Sequence, residues 1–268
     1  MINSFEKGFT KNLEKKQYGE ILKDKSTIFH GIGFDLIRLQ KILDNGILSE
    51  QAASDKRVEI IKNYGGYNLS DSISAGESPA INNTYTFGVF KNFIANGISF
   101  VIEGVSTFKA MKGEERDSGF IDEAFVYHSI PKKNIKGIMI PEKMLDIPLS
   151  KIPIGLSKMG HGYIDNRCRK IIKNLEEEYN FKADTSILEK LMAKKAELEE
   201  SNLDYLELDA KTEKIFEQMD KFMQVYLSKA YSKKFNISNP TLKDILLQII
   251  PKGMNVYNSD GFPIQIDK

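Results

Sequence analysis

The clearest pattern in the chain lies at residues 36–43, where Leu36, Leu39 and Leu43, with Ile37 and Ile42, recur at three- and four-residue steps. That spacing predicts a helix with one apolar face. Asp35 stands at the N-cap position and Gly46 at the C-terminal stop. Ahead of the helix, Thr27-Ile-Phe-His-Gly-Ile-Gly33 is a short apolar run that ends in small residues and carries one histidine. A ring nitrogen held where a strand meets a glycine turn suits a small ligand. Farther upstream, Phe5, Phe9, Leu13, Tyr18 and Leu22 among lysines and glutamates predict a short amphipathic helix over 5–23.

Residues 49–70 are polar, with a helix predicted near 56–63 and a turn at Tyr64-Gly-Gly-Tyr67. From 70 to 142 the texture becomes strand and loop. Gly97-Ile-Ser-Phe-Val-Ile102 and Ala124-Phe-Val-Tyr127 are β-branched and aromatic, and Ile130 to Pro141 reads as a turn followed by a strand ending at proline. After about 145 the chain turns helical. Cys168, Ile171, Ile172, Leu175 and Tyr179 share one face, and Phe216, Met219, Phe222, Met223 and Tyr226 share another. Ser186-Ile-Leu-Glu189 matches a capping box, and 241–250 reads as one more short helix closed by Pro251 and Gly253. The Glu/Lys-rich region 176–221 holds no clean heptad, which favours packed helices over a coiled coil.

The expected architecture is α+β. It comprises an N-terminal helix over 1–25, a strand-and-helix domain over 26–150 and an all-helical domain over 151–268. The break falls near 145–160, where Pro148, Pro153, Gly155 and Gly160 gather. Under a competing arrangement the helices complete one core with the sheet, and Ile171, Leu175, Phe216 and Phe222 then face strands.

Composition narrows the function classes. In 268 residues, 38 Lys and Arg balance 37 Asp and Glu, so the whole chain has no electrostatic footprint for nucleic acid, which is not an expected partner. The single cysteine, Cys168, excludes an intrachain disulfide framework and fits a reducing compartment. Arg167, Arg169 and Lys170 surround it, but its place on the apolar stripe favours burial over nucleophilic use. His128 and His161 stand at no metal-ligand spacing, and no metal is expected. No apolar run is long enough to span a bilayer, and residues 1–9 lack a secretory apolar core. The expectation is a soluble protein in the cytoplasm, or one delivered to another cell's cytosol without a cleaved signal peptide. Gly31-Ile-Gly33 is no dinucleotide fingerprint, because position 36 is Leu.

Three segments occur in a telling order: Phe29-His30-Gly31, then Asp71-Ser-Ile-Ser-Ala-Gly-Glu-Ser-Pro79, then Ser118-Gly-Phe-Ile-Asp-Glu-Ala-Phe-Val-Tyr127. The first resembles the opening motif of the ADP-ribosyltransferase superfamily. The second is similar to its Ser-x-Ser segment and the third to its catalytic-glutamate strand. The resemblance covers about 26–142. It implies a split β-sheet domain that binds NAD as substrate, with His30 and Gly31 on the NAD ribose and Ser72 and Ser74 shaping the pocket. It further implies Tyr85 or Phe87 stacking on nicotinamide, and Glu123 as the catalytic carboxylate. Ile121 stands where many relatives carry Glu or Gln, so contact with the acceptor passes to Glu115 or Asp122. Tyr64, Tyr67 and Tyr85 all compete for the tyrosine of the His-Tyr-Glu branch.

Cleaving the nicotinamide–ribose bond builds positive charge on the ribose, which a carboxylate such as Glu123 stabilises while fixing the sugar. Gly31 admits the ligand close to the backbone. Alternation along a strand puts Ser72 and Ser74 on one side. The resemblance implies transfer of ADP-ribose to a target protein, in the manner of a bacterial toxin or effector, and the Lys/Asn/Ile-rich usage suits an AT-rich bacterium. The alternatives are an NAD glycohydrolase or an RNA 2′-phosphotransferase of the same fold, or a noncatalytic helical interaction protein. The phosphotransferase wants several arginines at its pocket, where the first half offers only Arg38, Arg57 and Arg116.

Overall fold

The β-branched runs become strands, and the periodic runs become helices. This computed structural model describes residues 19–20, 26–32, 34–48, 72–76, 97–107, 123–152, 161–201 and 203–266. The first half carries β1 (Ile28–Ile32), α1 (Leu36–Asn45), β2 (Ile47–Leu48), β3 (Ser72–Gly76), β4 (Ile98–Ile102), β5 (Glu123–Tyr127), β6 (Ser129–Ile130) and β7 (Ile135–Met139). The second carries α2 (His161–Tyr179), α3 (Ser186–Glu199), α4 (Tyr205–Phe235), α5 (Leu242–Ile249) and β8 (Asn255–Tyr257). The helices expected over 5–23 and 56–63 lie outside the described residues, apart from Gly19 and Glu20 of the first. The fold class is α+β, as the patterning predicts.

Six strands form one sheet in the order β5-β3-β1-β4-β7-β8, and β2 pairs with β6 separately. The main sheet is antiparallel except for the parallel β7–β8 pair. Its faces differ. Ile28, Ile32, Ile73, Ile98, Phe100, Ile102 and Ile138 turn into the main core, whereas Phe29, Val101 and Met139 form a smaller cluster with Tyr257. The alternation of strand side chains produces this division.

Local signals set the helix ends. Asp35 caps α1 by accepting the Arg38 N–H at 2.9 Å, and Gly46 ends it at φ 89, a conformation glycine adopts without penalty. Thr241 and Asp244 form a reciprocal capping box on α5. The box expected at Ser186 does not form. Thr185 is the N-cap of α3, while the backbone N–H and hydroxyl of Ser186 both donate to Asp184. Glu189 instead pairs with Arg169 at 3.1 Å. A nearby acidic acceptor and a tertiary cation outcompete the local pattern.

The apolar core runs across the 145–160 segment. Residues of β1, β4 and β7 share one cluster with Ile171 and Leu175 of α2, Phe216 and Met223 of α4, and Leu246 of α5. Backbone bonds tie the halves further: the Leu149 N–H donates to the Pro240 carbonyl at 2.9 Å and the Lys243 N–H to the Leu145 carbonyl at 2.8 Å. Within 151–268 one short strand, β8, joins the sheet, so this half is helical in content but not helical throughout. Three residues are too few for alternation to announce a strand. Its pairing depends on Gly137, where an added Cβ would stand 2.7 Å from the Asn255 carbonyl oxygen and 2.8 Å from the Tyr257 ring.

Lys195, in the charge run of α3, is buried rather than solvated. Its ammonium lies 2.9 Å from Asp165 and 3.6 Å from Glu199. Two carboxylates thus face the buried ammonium, as a buried charge requires.

Gly137→Ala is expected to lower stability by about 1–3 kcal/mol, the usual cost of forcing a methyl into a filled space. Urea midpoints of the full chain measure this, and hydrogen exchange should show protection lost first at Val256. A midpoint equal to the parent's would mean that β8 does not rest on that contact.

Candidate active site

The three sequence segments singled out above occupy three adjacent strands. β3 lies between β1 and β5, so Phe29-His30-Gly31, Ser72 to Gly76 and Glu123 to Tyr127 adjoin at one side of the sheet. The register is specific: Phe29 stands opposite Gly76, and Gly76 stands opposite Glu123. At about 4.8 Å per strand step, the backbone of Glu123 lies about 10 Å from that of Phe29. Ser74 faces Phe125 across the pair, and Ser72 faces Tyr127.

His30 is half-buried and stands opposite Phe100 of β4. Alternation gives it the face of Ile28 and Ile32, and its Nε2 is shielded from solvent. Gly31, next to it, is exposed. Glu123 is the first residue of β5 and falls in the row of Phe29, so strand alternation sets that position on the face opposite to the one His30 takes. Tyr85, Phe87, Glu115 and Asp122 lie outside the described residues, as do Ile121, Tyr64 and Tyr67.

Gly76 is a candidate site residue that motif reading missed. It ends β3 between β1 and β5, in register with Phe29 on one side and Glu123 on the other. The signal was present, since a glycine closing Ser72-Ile-Ser-Ala-Gly76 marks a close approach of ligand or backbone.

Helix α1 begins three residues after β1 ends, and the helical half holds it in place. The Tyr179 hydroxyl donates to Gln40 Oε1 at 3.0 Å, and Lys41 pairs with Glu178 at 2.9 Å. Tyr231 and Phe235 lie edge-on to the Tyr179 ring at 5.4 and 6.1 Å, and burial pushes the Tyr179 hydroxyl up to about 12. At the start of α1, burial lowers the Arg38 pKa below its ordinary value; Asp35 opposes that shift and Arg167 reinforces it.

Among known structures the chain is similar to DarT of Thermus sp. 2.9. In complex with ADP-ribosylated ssDNA, that protein matches at 14% identity and a TM-score of 0.29, over 61% of this chain and 93% of its own. The complex with NAD+ gives 14% and 0.30, over 56% and 89%. The complex with carba-NAD+ gives 14% and 0.29, over 57% and 92%. No family model matches the chain, and no curated protein does. Likeness at that level assigns no residue, so the site rests on the strand register.

Three further residues carry side chains capable of other chemistry. Cys168 is buried in α2, where burial and the nearby Asp165 carboxylate push its thiol up to about 12. His128 sits at the β5–β6 turn with φ 63, exposed beside the Tyr127 ring. His161 opens α2. Among the described residues no three His, Cys, Asp or Glu side chains gather as a metal site, and no helix is long and apolar enough to cross a membrane.

Because thiolate is the reactive form, Cys168 is expected to resist a disulfide reagent at pH 8 in the native protein and to react at once in denaturant. Equal rates in the two states would return it to the list of nucleophiles.

Proposed function

We propose that the chain is an ADP-ribosyltransferase that takes NAD as substrate and works where β1, β3 and β5 adjoin. The observation that carries this reading is the adjacency of the three motif strands in the order β5-β3-β1, with Glu123, Gly76 and Phe29 in register. These stretches are separated by about forty residues each in sequence, and the fold brings them onto adjacent strands.

His30 and the exposed Gly31 receive the ribose of NAD, and Ser72 and Ser74 border the nicotinamide. Tyr85 or Phe87 stacks on the ring. Glu123 supplies the carboxylate that stabilises the oxocarbenium-like ribose as nicotinamide leaves. The acceptor attacks the anomeric carbon as that bond breaks, with Glu115 or Asp122 contacting it. The acceptor is a protein, and the helical half, 151–268, recognises it. Release as a toxin or effector fits this reading. The solved structure with ADP-ribosylated ssDNA supplies the second acceptor class to assay.

Glu123→Gln keeps size and removes charge, and turnover of labelled NAD should fall by about 10²–10³, equivalent to about 3–4 kcal/mol. NAD affinity by calorimetry should stay near the parent value. His30→Ala should weaken NAD binding more than it slows the bound complex. Labelled NAD is offered with a cell lysate, with a single-stranded oligonucleotide and with neither. Label on protein supports the stated acceptor, label on the oligonucleotide replaces it, and turnover with neither identifies water. Absence of NAD turnover in every arm would leave a noncatalytic protein.

A further inference from the structure

A second polar site lies away from the strands described above, at the C-terminal end of α4. A groove of about 570 Å³ opens there, lined by Ser228, Lys229, Ser232, Lys233, Asn236, Ile237, Ser238 and Asn239. That volume falls within the usual range of small-molecule sites, about 300–1,000 Å³. The lining holds two ammonium groups, three hydroxyls and two carboxamides, with no carboxylate and no aromatic ring.

Charge segregates at the same place. Residues 221–243 hold five lysines and no Asp or Glu, in a chain whose totals are 38 basic and 37 acidic. Part of this has an ordinary cause, since cations are favoured in the last turn of a helix, where Lys233 and Lys234 sit. Lys234 lies 5.0 Å from the Tyr179 ring, and Lys233 lies 3.5 Å from the Asn180 carbonyl. Lys229 stands a turn earlier, with no ion-pair partner among the described residues. Ser228, on the groove wall, is 7% exposed. The carbonyl end of α4, which would repel an anion, is partly capped by the Asn236 and Ile237 N–H groups on the Ser232 carbonyl.

We infer that this groove binds a small phosphorylated ligand, with Lys229 and Lys233 on the phosphate and Ser228, Ser232, Asn236 and Asn239 on its remaining oxygens. Lysine serves phosphate as a point charge, and the many neutral donors suit a tetrahedral anion better than a single carboxylate. The absence of a ring to stack on points to a polar, sugar-like remainder rather than a base.

The test uses the full chain and two probes, inorganic pyrophosphate and ribose 5-phosphate, titrated by calorimetry. Saturable binding is expected, weakened by raised salt through screening. The Lys229→Ala/Lys233→Ala double variant should weaken it about tenfold or more, equivalent to about 1.4 kcal/mol. Ser228→Ala, with a melting curve like the parent's, should weaken it less. Four results overturn the inference: no saturable heat with either probe; equal binding by the double variant; loss of binding on His30→Ala instead, which would assign the heat to the NAD site; or lysine-dependent binding only to a single-stranded oligonucleotide or to anionic lipid vesicles, which would make this a polyelectrolyte surface. The outcome is independent of the transferase reading, since that reading fails on NAD turnover and this one on the lysine variants.

Discussion

Everything else in this fold depends on β1 being paired along both edges. It runs antiparallel to β3 on one side and to β4 on the other, which commits Ile28 and Ile32 to the main core and Phe29 to the smaller cluster behind it. The same double pairing fixes where His30 and Gly31 stand relative to Ser72–Gly76 and, one strand further, to Glu123. A one-residue slip would exchange the two faces and expose the apolar set. The energy that sets the register is therefore core burial, and the site takes its geometry from it.

The second constraint comes from the helices. Helix α1 leaves β1 through a short turn, and α2 grips it by the Tyr179–Gln40 hydrogen bond and the Lys41–Glu178 pair. The ion pair is half exposed on both sides and contributes little alone; the buried aromatic packing of Tyr179 with Tyr231 and Phe235 does more. β8 adds a backbone tie by pairing with β7. The helical half thus acts as the wall against which the sheet packs.

Charge is arranged with the same economy. The near-neutral total conceals a buried Lys195–Asp165 pair in one place and an uncompensated run of lysines along 221–243 in another. The first holds α2 and α3 together from inside. The second borders the groove at the C-terminal end of α4. Net charge carries no information about either.

What the sequence determined by itself was local. The α1 boundaries follow from Asp35, Gly46 and the apolar spacing between them, because caps and amphipathic periodicity act within a few residues. Cys168 could be read as buried from its stripe, and the β-branched runs as strands from their composition. Three short segments could be recognised as belonging together from their order. Tertiary structure alone decided the strand order β5-β3-β1-β4-β7-β8, since pairing partners lie tens of residues apart and are selected by burial of the whole face. It also decided the place of Gly76 between Phe29 and Glu123, the recruitment of Asn255–Tyr257 as a strand, and the burial of Lys195. In each of these the deciding contact comes from a distant segment, so no local pattern could have contained it.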